Sequence, residues 1–124
     1  MGSRIDLGKK GEELAAGFLK KLRYKILEKN FRCKFGEIDI IELEGKTLVF
    51  IEVKTRLSLA YGSPQTSVTP KKKAQLTKIA FFYLQLNRLF HREARFDVVS
   101  IELDSGKERI ELIRNAFEIS EKYY

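Results

Sequence analysis

The sequence predicts an α/β domain: a sheet preceded by one helix and interrupted midway by another. Three observations lead there. Apolar residues at helical spacing open the chain, two β-rich runs flank a glycine turn in IIELEGKTLVFI, and a Thr-Pro cap introduces an apolar helical stretch. The element order reads α-β-β-β-α-β-β. With 124 residues, this is one domain with room for a single core.

From residue 4 to about 22, Leu7, Leu14, Ala15, Phe18 and Leu22 recur at helical spacing. The apolar stripe centres near Leu7, Gly11 and Phe18. Glu12 lies at its border, beside Ala15, Ala16 and Leu19, whereas Glu13 points away. Glu12 can therefore reach over a sheet edge into a site; equally, an acid here suits the helix dipole.

Three strands follow, at about 24–30, 36–43 and 47–55. If Gly45-Lys46 form a two-residue turn, Gly45 supplies the positive φ that a type II′ hairpin needs first. Counting outward, Leu43 faces Leu48, Ile41 faces Phe50, Asp39 faces Glu52 and Glu37 faces Lys54. Directly opposed residues share a face, so these four charged groups converge on the side carrying Ile41 and Phe50. Ile38, Ile40, Val49, Ile51 and Val53 on the other side supply the core.

A Ser-, Gly- and Pro-containing loop then runs from 56 to 68, leaving the third strand where it would overhang these charges. Arg56 and Gln65 can contact a backbone phosphate from there. Thr69 caps the second helix, with Pro70 at its first position and the helix running to about 89. Lys71, Lys72 and Lys73 crowd its N-terminus. They oppose the dipole, but beside free backbone N–H groups they make an anion seat. Residues 79–84 are apolar nearly all round, so a second face needs cover, from the same chain or from a second copy in a homodimer. Strands at about 94–103 and 109–114 close the fold around Asp104-Ser105-Gly106.

Composition narrows the function classes. Lys and Arg number 24 against 17 acids, a formal charge of +7, which favours a polyanionic partner. The lone Cys33, expected as a small, partly buried hydrophobe, excludes an internal disulfide and a cysteine-based zinc site. The lone His91, placed near a helix end, excludes paired-histidine chemistry. No apolar run approaches a membrane span and no signal-peptide core opens the chain, so a soluble cytoplasmic protein without membrane association is expected. Within this basic chain, Asp39 and Glu52 stand opposed, roughly 5 Å apart at Cβ. Such a pair is destabilising unless a cation sits between; a divalent ion resolves the conflict, and Lys54 offsets part of it.

These residues, in this order, resemble the PD-(D/E)xK nuclease superfamily, with Ile38 where the superfamily's name has proline. Across nearly its full length the chain looks like the YraN-like bacterial family, which is similar to archaeal Holliday junction resolvases. The matching segments are Gly8-Lys9-Lys10-Gly11-Glu12, Asn30-Phe31-Arg32, GEIDIIE, LVFIEVKTR, Val68-Thr69 with Lys72, and Arg95-Phe96-Asp97-Val98-Val99. The resemblance implies a restriction-endonuclease-like α-β-β-β-α-β core, a mixed central sheet flanked by helices, as one nuclease-like domain over 1–124. It further implies a metal-dependent endonuclease acting on DNA, on branched or structured substrates. Asp39 and Glu52 would bind Mg²⁺ or Mn²⁺, Lys54 would assist the attacking water, and Glu12 would help at the metal. The alternative is a non-catalytic nucleic-acid-binding accessory module of a repair or recombination complex.

The residue chemistry is compatible with that reading. Hard oxygen ligands suit Mg²⁺, and the backbone carbonyl of Val53 is a natural further ligand. Glu37, facing Lys54, would orient that lysine or hold an outer-shell water.

Overall fold

The computed structural model describes residues 4–57, 68–104 and 106–117. Helix α1 spans Arg4–Lys21, strands β1, β2 and β3 span Lys25–Cys33, Gly36–Glu44 and Thr47–Arg56, helix α2 spans Pro70–Leu86, and strands β4 and β5 span Ala94–Asp104 and Lys107–Phe117. The strands form one sheet in the order β1-β2-β3-β4-β5. Neighbours are antiparallel except β3 and β4, which run parallel and so need the crossover that carries α2. This is the mixed sheet with two helices that the sequence predicts. No described helix is long and apolar enough to cross a membrane.

Local chemistry explains the element ends. The Thr69 hydroxyl accepts from Lys72 N at 3.1 Å, and Pro70 occupies the first helical turn, where its missing N–H costs nothing. The C-terminus falls at Leu86, short of the expected 89. Asn87 caps it, donating from Nδ2 to the Tyr83 carbonyl at 3.0 Å, and Arg88 reverses the chain at φ 55°. His91 consequently lies beyond the helix in an exposed turn, not at the helix end. At the β2–β3 hairpin, Gly45 takes φ 61° and Lys46 is not among the positive-φ residues, as a type II′ turn requires. Ile41↔Phe50 and Leu43↔Leu48 pair in the predicted register.

Each face of the sheet carries its own apolar layer. On one, Ile38, Ile41, Leu48, Phe50, Phe96 and Val98 pack with Leu76, Ile79, Ala80, Tyr83 and Leu84 of α2. On the other, Ile40, Val49, Ile51, Val99 and Ile101 pack with Ala15, Ala16 and Leu19 of α1. Two expectations are corrected here. The buried stripe of α1 is Gly11, Ala15, Ala16 and Leu19, whereas Leu7, Leu14 and Phe18 are its half-buried flanks. Small residues occupy the centre because the helix lies close against the sheet. Ile38, assigned to the face of Ile40, instead lies on the α2 side with Ile41, so strict alternation fails between them. The aromatic excess of α2 finds cover within the chain: Phe82 meets Phe31 and Phe35, and Phe81 stacks on Phe90 at 6.0 Å.

At the end of the sheet where β4 begins, Arg95 donates to both Glu44 and Asp97, Arg114 donates to Glu44 at 2.7 Å, and Asn115 N donates to Asp97 at 2.8 Å. Beside this network lies Glu42, fully buried, with no hydrogen-bond partner for either carboxyl oxygen among the described residues. Burial, reinforced by the charge of Asp97, pushes its carboxyl up to about 8. Glu42→Met fills similar space without that desolvation cost. It should stabilise the chain by about 1–3 kcal/mol, most clearly above pH 8, where the native carboxyl would ionise. Denaturant melts at pH 6 and pH 9 check this; an equal or lower midpoint at pH 9 for the variant counts against it.

Candidate functional site

The β2–β3 ladder ends at Ile40↔Ile51, while β1–β2 pairing continues to Cys33↔Gly36 and β3–β4 pairing to Arg56↔Glu102. Beyond that point β2 stays with β1 and β3 stays with β4, so the sheet forks. Asp39 stands at the fork and its Oδ2 accepts from Val53 N at 2.8 Å, a carboxylate taking the place of a ladder acceptor. The predicted facing pairs Asp39–Glu52 and Glu37–Lys54 thus lie past the end of the ladder. Glu37 pairs across β1 with Arg32, whose Nε donates to it at 3.1 Å, and so does not face Lys54.

The irregularity has a partner in β1. Lys29↔Ile40 and Phe31↔Ile38 bracket Asn30 and Asp39, and Asn30 adopts φ 53°, a conformation that asparagine tolerates better than most residues. With its amide nitrogen turned toward the acids, Asn30 donates to Glu12 Oε2 at 3.2 Å and to Glu37 Oε1 at 2.8 Å. One carboxylate oxygen from each of Glu12, Glu37 and Asp39 lies within 4.8 Å of the others. Opposite ligands of an octahedral Mg²⁺ are roughly 4 Å apart, so this all-oxygen set fits a small hard cation after slight closure. An open cleft of about 210 Å³ leads to it, lined by Lys9, Glu12, Glu13, Lys29, Asn30, Asp39 and Ile40.

Glu52 adjoins Asp39 from the other arm of the fork. Burial raises the Asp39 carboxyl to about 8, the neighbouring Glu52 carboxyl adds to the rise, and the Val53 N–H opposes it. Two ammonium groups approach Glu52, Lys72 Nζ at 3.3 Å and Lys54 Nζ at 3.9 Å.

The structure thus brings Glu12, Glu37, Asp39, Glu52, Val53, Lys54 and Lys72 together. The three lysines at the N-terminus of α2 diverge: Lys72 turns to Glu52, Lys73 Nζ lies 5.7 Å from the Phe117 ring centroid, and Lys71 is exposed. Arg56 ends β3 opposite Glu102 of β4, and Gln65 lies outside the described residues. Asn30, Arg32, Lys9 and Lys29 join the site without a role legible in their sequence positions. Asn30 offered one signal, an asparagine inside a β-run, where such residues are depleted.

Gly11 sets how closely α1, and with it Glu12, approaches this site. A Cβ at Gly11 would lie 1.8 Å from Thr55 Oγ1 and 3.0 Å from Thr55 Cβ. Gly11→Ala should therefore cost about 1–3 kcal/mol by overpacking and lift Glu12 away from Asp39. Adding Thr55→Ala should restore part of the loss in thermal melts. A Gly11→Ala chain as stable as the parent would show that the helix can shift freely.

A mixed five-stranded sheet, forked around a cluster of carboxylates with ammonium groups beside it, defines a small α/β protein whose grouped oxygen donors are of the kind that suits a hard cation. The chain belongs to the uncharacterised protein family UPF0102, whose model matches residues 11–101; this is the YraN-like family the sequence resembles. It is 51% identical over 120 residues to a UPF0102 protein of Syntrophus aciditrophicus, covering 97% of this chain and 94% of the relative. A Geobacter metallireducens UPF0102 protein is 53% identical over 114 residues, 92% of this chain and 93% of the relative. One from Geobacter sulfurreducens is 50% identical over 115 residues, 92% and 90% respectively.

Proposed function

We propose that this chain is a metal-dependent endonuclease that hydrolyses DNA phosphodiester bonds, with branched or structured DNA as substrate, as the resemblance to PD-(D/E)xK nucleases and archaeal Holliday junction resolvases implies. The observation that carries the reading is the junction of Asp39 and Glu52 at the fork, with Glu12 and Glu37 on one side and Lys54 and Lys72 on the other. Buried adjoining carboxylates are costly to keep in a structural role. They suit a divalent ion that replaces the proton Asp39 otherwise holds.

Asp39 and Glu52 would hold Mg²⁺ or Mn²⁺, with the Val53 carbonyl, Glu12 and Glu37 as further oxygen donors. The ion supplies Lewis acidity toward a phosphate oxygen. Val53 N–H aims the Asp39 carboxylate, and Asn30 holds Glu12 and Glu37 in one orientation. Lys54 stabilises charge developing on the scissile phosphate or orients the attacking water, and Lys72 adds a second positive group on the same side. Lys9 and Lys29 at the cleft attract the flanking backbone.

The test is cleavage of labelled single-stranded, duplex, flap and four-way junction DNA in Mg²⁺, Mn²⁺ and EDTA. The reading expects metal-dependent cutting that favours the branched substrates. Binding that weakens steeply with salt, with no cutting of any substrate, would replace it with the non-catalytic accessory module.

A further inference from the structure

The tip of the β1–β2 hairpin is Lys34-Phe35, between the paired residues Cys33 and Gly36. Two-residue turns favour Gly, Asn, Asp and Ser, so a phenylalanine there has no turn chemistry to justify it. Phe35 is 36% exposed and belongs to neither apolar layer of the sheet. It is nonetheless held firmly. Gln75 Nε2 donates to the Phe35 carbonyl at 2.9 Å, and the same amide packs against Gly36, where a Cβ would meet it at 2.4 Å and φ is 131°. The ring meets Phe82 edge-on at 6.3 Å, and Phe82 is backed by Phe31. Lys34 Nζ lies 5.2 Å from the Phe35 ring centroid.

This mounted ring belongs to the forked end of the sheet. Gln75, which holds Phe35, and Lys72, which reaches Glu52, are three residues apart on one side of α2, roughly 4.5 Å along its axis. Glu37 follows Phe35 by two residues. Lys34 beside the ring is exposed, as are Lys71 and Lys78, which helical spacing sets on the same side of α2 as Gln75 and Phe82, in a chain of formal charge +7. An ammonium at the ring suits a partner that brings its own anionic group, which an apolar protein surface does not.

We propose that Phe35, with Lys34, is a stacking platform for an unpaired nucleobase, so that this chain selects DNA with an unstacked base close to the cut: flaps, gaps and branch points over continuous duplex. The inference rests on the nuclease reading for the cut itself, whereas stacking is a binding property that stands apart from turnover. A base in continuous duplex already stacks on both neighbours, so the ring gains contact only where a base is free. Lys34 would pair with the phosphate that such a base carries.

The experiment places 2-aminopurine at the unpaired branch nucleotide of a flap and measures fluorescence and affinity in EDTA, where no cutting occurs. Continuous duplex of the same sequence is the control. Phe35→Ala should abolish the fluorescence change and weaken flap binding roughly tenfold, with duplex binding unaltered. Phe35→Tyr should behave as wild type. Phe35→Leu, which keeps apolar contact with Phe82 but has no aromatic face, should behave as Phe35→Ala and so separates stacking from packing. Flap affinity and fluorescence unaltered in Phe35→Ala would overturn the proposal and leave the ring to a protein partner. A Phe35-dependent signal without cutting in Mg²⁺ or Mn²⁺ upholds stacking and sinks the nuclease reading. Cutting with a Phe35-insensitive signal sinks stacking alone.

Discussion

Asp39→Asn should remove metal-dependent cleavage by at least about a thousandfold, the scale lost when a central electrostatic element leaves an active site. Asparagine retains an oxygen to accept from Val53 N, so the fork keeps its geometry. What disappears is the carboxylate that adjoins Glu52 on one side and Glu12 and Glu37 on the other. The same substitution should alter stability in a pH-dependent way. Folding raises the Asp39 carboxyl from 3.8 to about 8, so between these values the folded chain binds more protons than the unfolded one. Metal-free stability must then fall as pH rises from about 4 to 8. Glu42 contributes in the same sense, so the Asp39 share is the difference between the wild type and Asp39→Asn. Adding Mg²⁺ should reverse the trend for the wild type alone, because the ion replaces the proton. Melts from pH 5 to 9 in EDTA and in Mg²⁺, beside cleavage assays, check both parts. Cleavage retained by Asp39→Asn would discard the assignment of the site.

Arg95→Ala should cost about 3–5 kcal/mol of stability, because it leaves the buried Asp97 carboxylate without its counter-charge. The Asp97 side chain is fully buried and takes its charged partner from Arg95, and after truncation Asn115 N is the donor that remains to it among the described residues. Glu44 would retain Arg114 but lose its other guanidinium. Burial works against the charge on Glu44, yet the guanidinium hydrogen bonds of Arg95 and Arg114 outweigh it and hold this carboxyl at about 2. Its contribution is therefore present above the unfolded value of 4.5 and is lost as pH falls toward 2, and Arg95→Ala should flatten that acid limb. Arg95→Lys should recover only part of the loss, since one ammonium cannot serve both carboxylates as a planar guanidinium does. Denaturant titrations at pH 3 and pH 7 decide the matter. A loss below about 1 kcal/mol at pH 7, the scale of an exposed ion pair, would mean that water reaches the network.

The fold was legible in the sequence where local rules act alone. The Thr69-Pro70 cap, the Gly45 turn and the register that follows from it each depend on a few neighbouring residues, and each stands in the structure where those residues put it. The site was legible as residue types: acids and a lysine set by the hairpin, and Glu12 by the helical wheel. Its geometry was not. Counting outward from a turn assumes an unbroken ladder, and this ladder stops at Ile40↔Ile51 because β1 and β4 draw the two strands apart.

That competition between neighbouring strands is a long-range effect, which no window of sequence contains. It moves Ile38 to the α2 face and gives Glu37 to Arg32 and Asn30 in place of Lys54. It also brings Lys72, alone among three adjacent lysines, to Glu52. The sequence by itself determined the elements, their order, the turn register and the chemical kinds of group at the site. Tertiary structure alone decided which of those groups meet, because side-chain partners at the fork depend on how four strands and two helices share one sheet.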